Sequence, residues 1–260
     1  MPQRLKLIVA YDGAAYAGWQ SQSHRNTVED NLERVFRKIA GKSTRVHGAG
    51  RTDAGVHALA QCAHVDLVDR RLSTARWTAA LNALLPPTIR ILRCQYVGQE
   101  FHARFSAKGK VYRYRIWSAP VLPPLEFARA WHIPTKLDFD VLKSAATQFV
   151  GTHDFAALAA NRGKSGRRGD TDSSRGEPEK DTIRTIRSVV VRRNGPLLTI
   201  EFDGNGFLYK MVRLMVGSIT RVALGKLSVG DIAARLRSER ADDARFVAPA
   251  EGLFLVRVWY

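Results

Sequence analysis

The chain has 260 residues, with 41 lysines and arginines against 24 aspartates and glutamates, a formal net charge of +17 and an isoelectric point near 10.4. A positive charge of this size attracts phosphate backbones and predicts salt-dependent binding, so nucleic acid is the leading partner. A membrane surface is the weaker alternative, because the sequence shows no sustained basic amphipathic helix.

Length and residue usage set further limits. The length suits two compact lobes, and we expect an N-terminal α+β lobe over 1–105 and a C-terminal α+β lobe over 106–260. Two cysteines without a C-x-x-C pair argue against a disulfide framework or a zinc site. The histidines lack metal spacing and no nucleotide-binding loop occurs, so we expect neither a metal nor a cofactor. The N-terminal residues lack a signal-peptide pattern, and we therefore expect a cytoplasmic protein.

The first lobe reads as strand, helix, strand, strand, helix, strand. Hydrophobic periodicity and turn residues predict, in order, a strand over 5–11, a helix opened by an Asn26 and Glu29 capping box, strands near 44–49 and 59–68, a helix opened by Ser73 and stopped by Pro86, and a strand over 88–97. This order is typical of the ferredoxin-like arrangement, in which one sheet face packs on two helices. The other sheet face is expected to be free, which suits RNA binding.

The second lobe repeats this theme less regularly. We expect strands near 109–117, 183–193, 196–203 and 252–259, and helices near 138–150, 207–223 and 228–238. The polar and charged residues of 161–182 predict a disordered, flexible insertion. The helix from Phe207 is a predicted core helix, too short and too charged to span a membrane. Its cations Lys210 and Arg213 lie three apart on one face, where either both reach solvent or the unmatched Asp53 is their partner.

Residues 109–117 alternate aromatic and cationic side chains. Tyr112 and Tyr114 share one face of the predicted strand, while Arg113 and Arg115 share the other. Aromatic rings that stack on bases and arginines that contact phosphates are how single-stranded or flipped nucleotides are held. An ordinary strand with tyrosines in the core and arginines in water explains the same pattern equally well.

A glycine-rich loop is the predicted site of chemistry. Residues 48–58 read GAGRTDAGVHA, in which the single carboxylate, Asp53, follows two residues after Arg51. The glycines permit a tight turn and close ligand approach, and the nearby cation favours an ionised carboxylate. The alternative is an Asx-turn, in which Asp53 binds only its own backbone. His57 fits support of this loop and a part in catalysis equally well.

Several motifs follow one another along nearly the whole chain. They are Tyr11-Asp12-Gly13 with Tyr16, Gly18, Trp19 and Gln20; Gly50 to His57; Phe101 to Ser106 followed by Tyr112-Arg113-Tyr114; Asn205 to Tyr209 with Met211, Val212, Arg213, Val216 and Gly217; and Glu251 to Leu253. In this order and at these separations they resemble the TruA family of tRNA pseudouridine synthases. The second motif matches without a departure, whereas Lys210 stands where the family often has an uncharged polar residue.

The resemblance implies a fold, an activity and a set of residue roles. The implied fold is the α+β pseudouridine synthase fold, with two ferredoxin-like or RRM-like lobes and largely antiparallel sheets around a basic cleft. The implied enzyme is a homodimeric isomerase that converts uridine to pseudouridine at positions 38, 39 and 40 of the tRNA anticodon stem-loop. By the same resemblance Asp53 is the nucleophile, Arg51 assists base extrusion, Tyr112 contacts the substrate and Arg213 pairs with Asp53.

Two other functions stay open from the sequence. A non-catalytic protein that binds structured RNA would use the same basic surface, although the joint presence of Asp53, Arg51, Tyr112 and Arg213 argues against it. A nucleoside hydrolase would pair its carboxylate with a second acid, and the Asp53 motif contains none. The sequence does not choose among attack on C1′, attack on C6 and ribose deprotonation as the chemical route.

Overall fold

The computed structural model describes residues 3–22, 26–68, 72–160, 181–237 and 246–260. The insertion predicted over 161–182 lies outside the described residues, apart from its last two positions. By its internal contacts the chain forms two compact units, Met1–Lys108 with Phe254–Tyr260 and Gly109–Leu253. The division into 1–105 and 106–260 as domains stays a prediction.

The regular elements of the described residues are ten strands and five α-helices. In chain order they are β1 (Gln3–Tyr11), α1 (Val28–Ala40), β2 (Val46–Gly48), β3 (His57–Leu67), α2 (Thr74–Leu84), β4 (Ile89–Val97), β5 (Gly109–Ser118), β6 (Trp131–Ile133), α3 (Phe139–Thr147), β7 (Gly151–Asp154), β8 (Ile183–Asn194), β9 (Leu197–Gly204), α4 (Met211–Ala223), α5 (Val229–Arg237) and β10 (Leu253–Trp259). The predicted α+β class is confirmed, and both units contain mainly antiparallel strands.

The sheet of the first unit has the predicted strand and helix order. β1 lies between β3 and β4 and is antiparallel to both. β2 pairs antiparallel with one end of β3, and β10 pairs parallel with the other end, where Phe254 is opposite His57. The strand expected over 252–259 therefore forms, but its pairing with β3 places it from Phe254 onward in the first unit.

One sheet face of the first unit packs on α1 and α2. The alternating residues Leu5, Leu7 and Val9 of β1 are fully buried, as period-2 patterning requires. The two helices meet through Phe36 and Trp77, whose ring centroids are 5.5 Å apart. This face supplies the hydrophobic core that holds the unit together.

The predicted Asn26 and Glu29 capping box is wrong. Thr27 is the N-cap of α1, and its fully buried side chain accepts the Asp30 N–H. Glu29 instead accepts the Ser21 N–H at 2.6 Å. Both Asn26 and Thr27 are good cap residues by type, and burial selects Thr27. The predicted cap of α2 by Ser73 is confirmed.

The second sheet face of the first unit is not free, in contrast to the prediction. Cys62 and His64 of β3 are 0% and 1% exposed. Tyr260 and Phe101 pack over this part of the face together with Ala103. The sheet remains open beside them at a shallow cavity of about 70 Å³, lined by Lys6, Ile8, Arg93 and Gln95.

The second unit contains five strands and three α-helices within its described residues. β5 pairs parallel with β6 and antiparallel with β9, β9 pairs antiparallel with β8, and β8 pairs antiparallel with β7. α4 begins at Met211 rather than at Phe207, because Lys210 has a left-handed backbone conformation with φ of 60°. Lys210 is thus the N-cap, and the prediction that it shares a helix face with Arg213 is wrong. Within the described ranges, no helix combines the length and apolar character needed to cross a bilayer.

Candidate active site

The loop between β2 and β3 begins beside β3. The Ala49 N–H donates to the Cys62 carbonyl at 2.7 Å, and the Gln61 side chain donates to the Gly50 carbonyl at 2.9 Å. Gln61 is fully buried. The first half of the loop is therefore fixed against β3 before the chain reaches Arg51.

The second half of the loop is held by residues 16–19. The Trp19 N–H donates to the Thr52 carbonyl at 3.1 Å, and the Gly55 N–H donates to the Tyr16 carbonyl at 3.3 Å. Inside the turn, the Val56 N–H donates to the Asp53 carbonyl at 3.2 Å. Backbone bonds on both sides of Asp53 therefore fix its Cα, while its side chain stays half-buried.

Two glycines outside the loop allow this close backbone approach. A Cβ at Gly13 would lie 2.0 Å from the Val56 carbonyl oxygen, and one at Gly18 would lie 2.5 Å from the Thr52 carbonyl oxygen. Gly18 also has a φ of 94°, a conformation open to glycine at little cost. These glycines belong to the first sequence motif, which explains physically why that motif accompanies the Asp53 motif.

Buried side chains complete the support of the loop. The Tyr11 hydroxyl and Thr52 Oγ1 are hydrogen bonded at 2.8 Å, and both residues are buried. Gly48 leaves room for the indole of Trp19, since an added Cβ would lie 2.5 Å from its Nε1 atom. The Gly18 and Trp19 carbonyls also accept the first N–H groups of α1, so helix, loop and motif form one connected structure.

His57 supports the loop. Its side chain is 2% exposed, and its ring stacks on Phe254 with centroids 4.5 Å apart. Its Nδ1 atom accepts the Gly13 N–H at 3.0 Å and lies 3.1 Å from the Asp12 carboxylate. These contacts join the end of β1 to the start of β3. Of the two roles left open by the sequence, the structural one accounts for this geometry.

The second unit holds the other two predicted site residues. Tyr112 lies on β5, is 7% exposed, and meets the Phe207 ring edge-on at 5.0 Å. Arg213 lies on α4, and its Nε donates to the Ala248 carbonyl at 2.7 Å. Arg51 and Asp53 lie together in the loop of the first unit, whereas the pairing of Arg213 with Asp53 would join the two units and stays a prediction.

The other aromatic and cationic residues of β5 have structural contacts. Tyr114 is fully buried and donates its hydroxyl proton to the Pro249 carbonyl at 2.7 Å, and burial raises its pKa well above the usual value. Arg113 pairs with Glu201 at 2.9 Å and Arg115 with Glu126 at 2.6 Å. At these three positions the alternating aromatic and cationic side chains of β5 therefore have the contacts of an ordinary strand.

Sequence reasoning missed the way the segment 99–106, which follows β4, is held. Arg4 forms a two-bond ion pair with Asp66 and donates from Nη1 to the carbonyls of Gln99 and Phe101 at 2.6 and 2.7 Å. His64 Nδ1 accepts the Ala103 N–H at 3.2 Å. The signal in the sequence was the Phe101 to Ser106 motif, but its partners lie on strands distant along the chain.

Three histidines of this region lie in contact. The His64 ring stacks on His47 at 4.9 Å and meets His102 at 4.7 Å. Burial is the main cause that lowers the pKa of His64 to about 3, and repulsion from Arg4 and from the protonated form of His47 lowers it further. Burial and neighbouring arginines also lower the pKa values of His47 and His102. The cluster is thus neutral near pH 7, and no metal-binding group of His, Cys, Asp or Glu occurs within the described parts of the chain.

Comparison with known proteins identifies the family. A sequence model of the tRNA pseudouridine synthase family matches residues 7–106 and 145–260. A protein named tRNA pseudouridine synthase A from Akkermansia muciniphila is 47% identical over 259 residues, which cover 99% of this chain and 95% of that protein. Proteins of the same name from Acetivibrio thermocellus and Geobacillus kaustophilus are each 40% identical, covering 99% and 100% of this chain and 100% and 95% of theirs.

The family model matches parts of both units and includes the loop that carries Asp53 as well as α4, while the full-length relatives also span β5. The identities apply to nearly the full length of each protein, so the likeness is not confined to one shared domain. The resemblance drawn from the motifs is thereby confirmed. The chain belongs to the tRNA pseudouridine synthase family, a family of isomerases.

Proposed function

We propose that the protein isomerises uridine to pseudouridine at positions 38, 39 and 40 of the tRNA anticodon stem-loop, with Asp53 as the nucleophile. The observation that carries this proposal is the backbone fixation of Asp53, through Trp19 to Thr52 on one side and Tyr16 to Gly55 on the other. A half-buried carboxylate on a loop held by backbone hydrogen bonds is suited to a precise attack. The names of the relatives support tRNA as the substrate.

The reaction needs one carboxylate and no added group. The N1–C1′ glycosidic bond breaks, the uracil turns, and a C5–C1′ bond forms; C5 loses a proton and N1 gains one, so the atoms balance. Asp53 serves this by attack on C1′, by attack on C6, or by removal of a ribose proton. Water must be kept from C1′ while the bond is open, because its addition would give hydrolysis.

Glycoside hydrolysis uses a second acid beside the first carboxylate. Asp12 is a carboxylate near the loop, and it accepts the Ala14 N–H at 3.1 Å as the cap of a short 3₁₀ turn. The Asp12 carboxylate also lies 3.1 Å from the buried His57 Nδ1. The neighbourhood of Asp53 thus supports isomerisation over hydrolysis.

Three further residues have proposed roles. Arg51, two residues from Asp53, assists extrusion of the target base and replaces some of its lost interactions. Tyr112 contacts the extruded base, and its packing on Phe207 restricts the ring. Arg213 pairs with Asp53; its Nε bond to Ala248 uses one of five guanidinium donors and sets the plane of the group.

Recognition of tRNA rests on shape and charge in this proposal. Neighbouring uridines that are all modified exclude strict base readout, so contacts to phosphate and sugar position the RNA. The net charge of +17 supports such contacts. We also propose that the enzyme is a homodimer in the cytoplasm, which sedimentation of the purified protein would test for the dimer.

The test is pseudouridine mapping on an unmodified tRNA transcript with uridines at the three positions, by carbodiimide treatment and primer extension. We expect stops at these positions with the wild-type protein and with Asp140→Asn, an exposed carboxylate on α3 that serves as matched control. Asp53→Asn should lose at least about 1,000-fold in rate while binding tRNA normally. Tight binding without stops from the wild-type protein would instead support a non-catalytic RNA-binding protein.

A further inference from the structure

The segment 99–106 holds a large apolar ring at the surface of the first unit. Phe105 is 74% exposed, yet its ring stacks on His102 with centroids 4.3 Å apart and an interplanar angle of 30°. The Arg104 guanidinium lies 5.6 Å from the centroid of the same ring. One face of a positioned aromatic ring and a cation are thus presented together at the surface.

The backbone around Phe105 is fixed locally. His102 Nδ1 accepts the N–H groups of Arg104 and Phe105 at 3.1 and 3.3 Å. The Ser106 N–H donates to the His102 carbonyl, and Ser106 Oγ accepts the His102 N–H, both at 2.9 Å. Phe105 therefore does not need to be ordered by a ligand, and a ring that is already positioned binds with a smaller loss of conformational entropy.

The base of the segment is equally well anchored. Arg4 binds the carbonyls of Gln99 and Phe101, and the Tyr260 hydroxyl donates to the Ala103 carbonyl at 2.8 Å. Phe105 is a large apolar side chain that packing would be expected to bury, yet it stays exposed in this anchored segment. Phe105 is thus in a position suited to contact with a partner rather than to the stability of the fold.

Charge decides the chemical class of that partner. Arg104 stands beside the ring, the whole chain carries +17, and the pKa values of the adjacent histidines are lowered in part by Arg4, Arg45 and Arg104. A partner with aromatic faces and negative charges fits these features better than an apolar protein surface does. Nucleobases joined by phosphates have both.

We propose that Phe105 is a stacking platform for an unpaired base of the RNA substrate, and that Arg104 contacts a phosphate next to that base. The inference rests on the proposed function, because it takes tRNA as the ligand, but it needs no catalytic step. It assigns RNA binding to the 99–106 segment in addition to the Asp53 loop.

The test is the dissociation constant of an unmodified tRNA transcript, measured by fluorescence anisotropy at a fixed salt concentration. We expect Phe105→Ala and Phe105→Leu each to weaken binding by about 10-fold, since both remove the aromatic face. Phe105→Trp should bind within about 2-fold of wild type because it restores that face. Phe127→Ala is the matched control, as this phenylalanine of the second unit is 71% exposed, and we expect no change.

Arg104→Gln should make the plot of log affinity against log salt less steep, by about the amount that one phosphate contact contributes to the slope. Unchanged affinity in Phe105→Ala, or full affinity in Phe105→Leu, would overturn the stacking proposal. Circular dichroism and the urea midpoint check that each variant is folded, and the Trp variant separates loss of the ring from loss of structure. If the wild-type protein binds tRNA but makes no pseudouridine, the proposed function fails, whereas a selective loss in Phe105→Ala would still support the platform.

Discussion

The Asp53 loop and the segment 99–106 belong to the same unit but are positioned by different physical means. The loop is held by main-chain hydrogen bonds and by the close approach of Gly13 and Gly18, which leave no room for an added methyl group. The segment is held by side chains, above all Arg4 and His64. The loop should therefore be sensitive to added volume, and the segment to a change of charge.

Among the substitutions that test this difference, Gly13→Ala should have the largest effect. The new Cβ would meet the Val56 carbonyl at 2.0 Å, and backbone atoms on both sides must shift to relieve this contact. A displacement of about 1 Å at a catalytic group costs about 100-fold in rate. We expect that loss or more in pseudouridine formation, measured in single-turnover reactions on a tRNA transcript.

The control for this substitution is Gly230→Ala in α5, where the nearest atom to an added Cβ is Ser228 Oγ at 3.5 Å. Gly230→Ala should keep wild-type activity, and alanine should not disfavour the helix. Equal activity of Gly13→Ala and wild type would show that the loop is more adaptable than its contacts indicate. A smaller loss of activity in Gly13→Ala, together with a lowered urea midpoint, would show that the substitution acts through the stability of the fold.

The second prediction addresses the side-chain anchorage of the segment 99–106. Arg4→Met removes the ion pair with Asp66 and leaves the carbonyls of Gln99 and Phe101 without this donor. Charged hydrogen bonds contribute about 1.5–3 kcal/mol each, and we expect the free energy of unfolding to fall by about 2–3 kcal/mol in urea titrations.

Because the Asp53 loop has its own supports, the folded Arg4→Met protein should retain its catalytic rate within several-fold, while its affinity for tRNA falls with the displaced Phe105. Arg37→Met, an exposed position on α1, should change stability by less than about 0.5 kcal/mol. A catalytic loss as large as that of Gly13→Ala would contradict the separation of the two regions.

The difference between the two regions also explains what could be predicted from the sequence. Glycines and the lone Asp53 are local signals, and the alternating pattern of β1 and the Ser73 cap are local too, so the loop and most elements were found. The partners of Arg4 and His64 depend on which strands come together, which single-sequence periodicity does not specify. Thr27 rather than Asn26 is the N-cap of α1 because its side chain is buried there. α4 begins four residues later than predicted because Lys210 has a left-handed backbone conformation.

The two regions should also respond to pH in opposite directions. His64, which anchors the segment, has its pKa lowered to about 3, whereas burial raises the pKa of Glu29, beside the support of the loop, to about 7. Below pH 6.5 the unfolded chain protonates His64 and the folded chain does not, so stability falls as the pH falls. Between pH 4.5 and 7 the folded chain holds the Glu29 proton, so stability falls as the pH rises.

Between pH 7 and pH 5 the His64 and Glu29 effects on the free energy of unfolding are each about 2 kcal/mol and have opposite signs. The wild-type protein should therefore show little change in its urea midpoint.

Glu29→Gln keeps an acceptor for the Ser21 N–H but does not titrate. Its free energy of unfolding should fall by about 2 kcal/mol on acidification. Adding His64→Gln, whose amide oxygen can accept the Ala103 N–H, should abolish most of that loss and leave the smaller contributions of His47 and His102. A Glu29→Gln protein as stable at pH 5 as at pH 7 would show that His64 is protonated in the folded chain, and the imidazole resonances in an NMR titration would then show the same. Because the His102 imidazole accepts the Phe105 N–H and stacks on its ring, the His102 resonances in the same NMR titration would give the pH range in which the segment 99–106 keeps its structure.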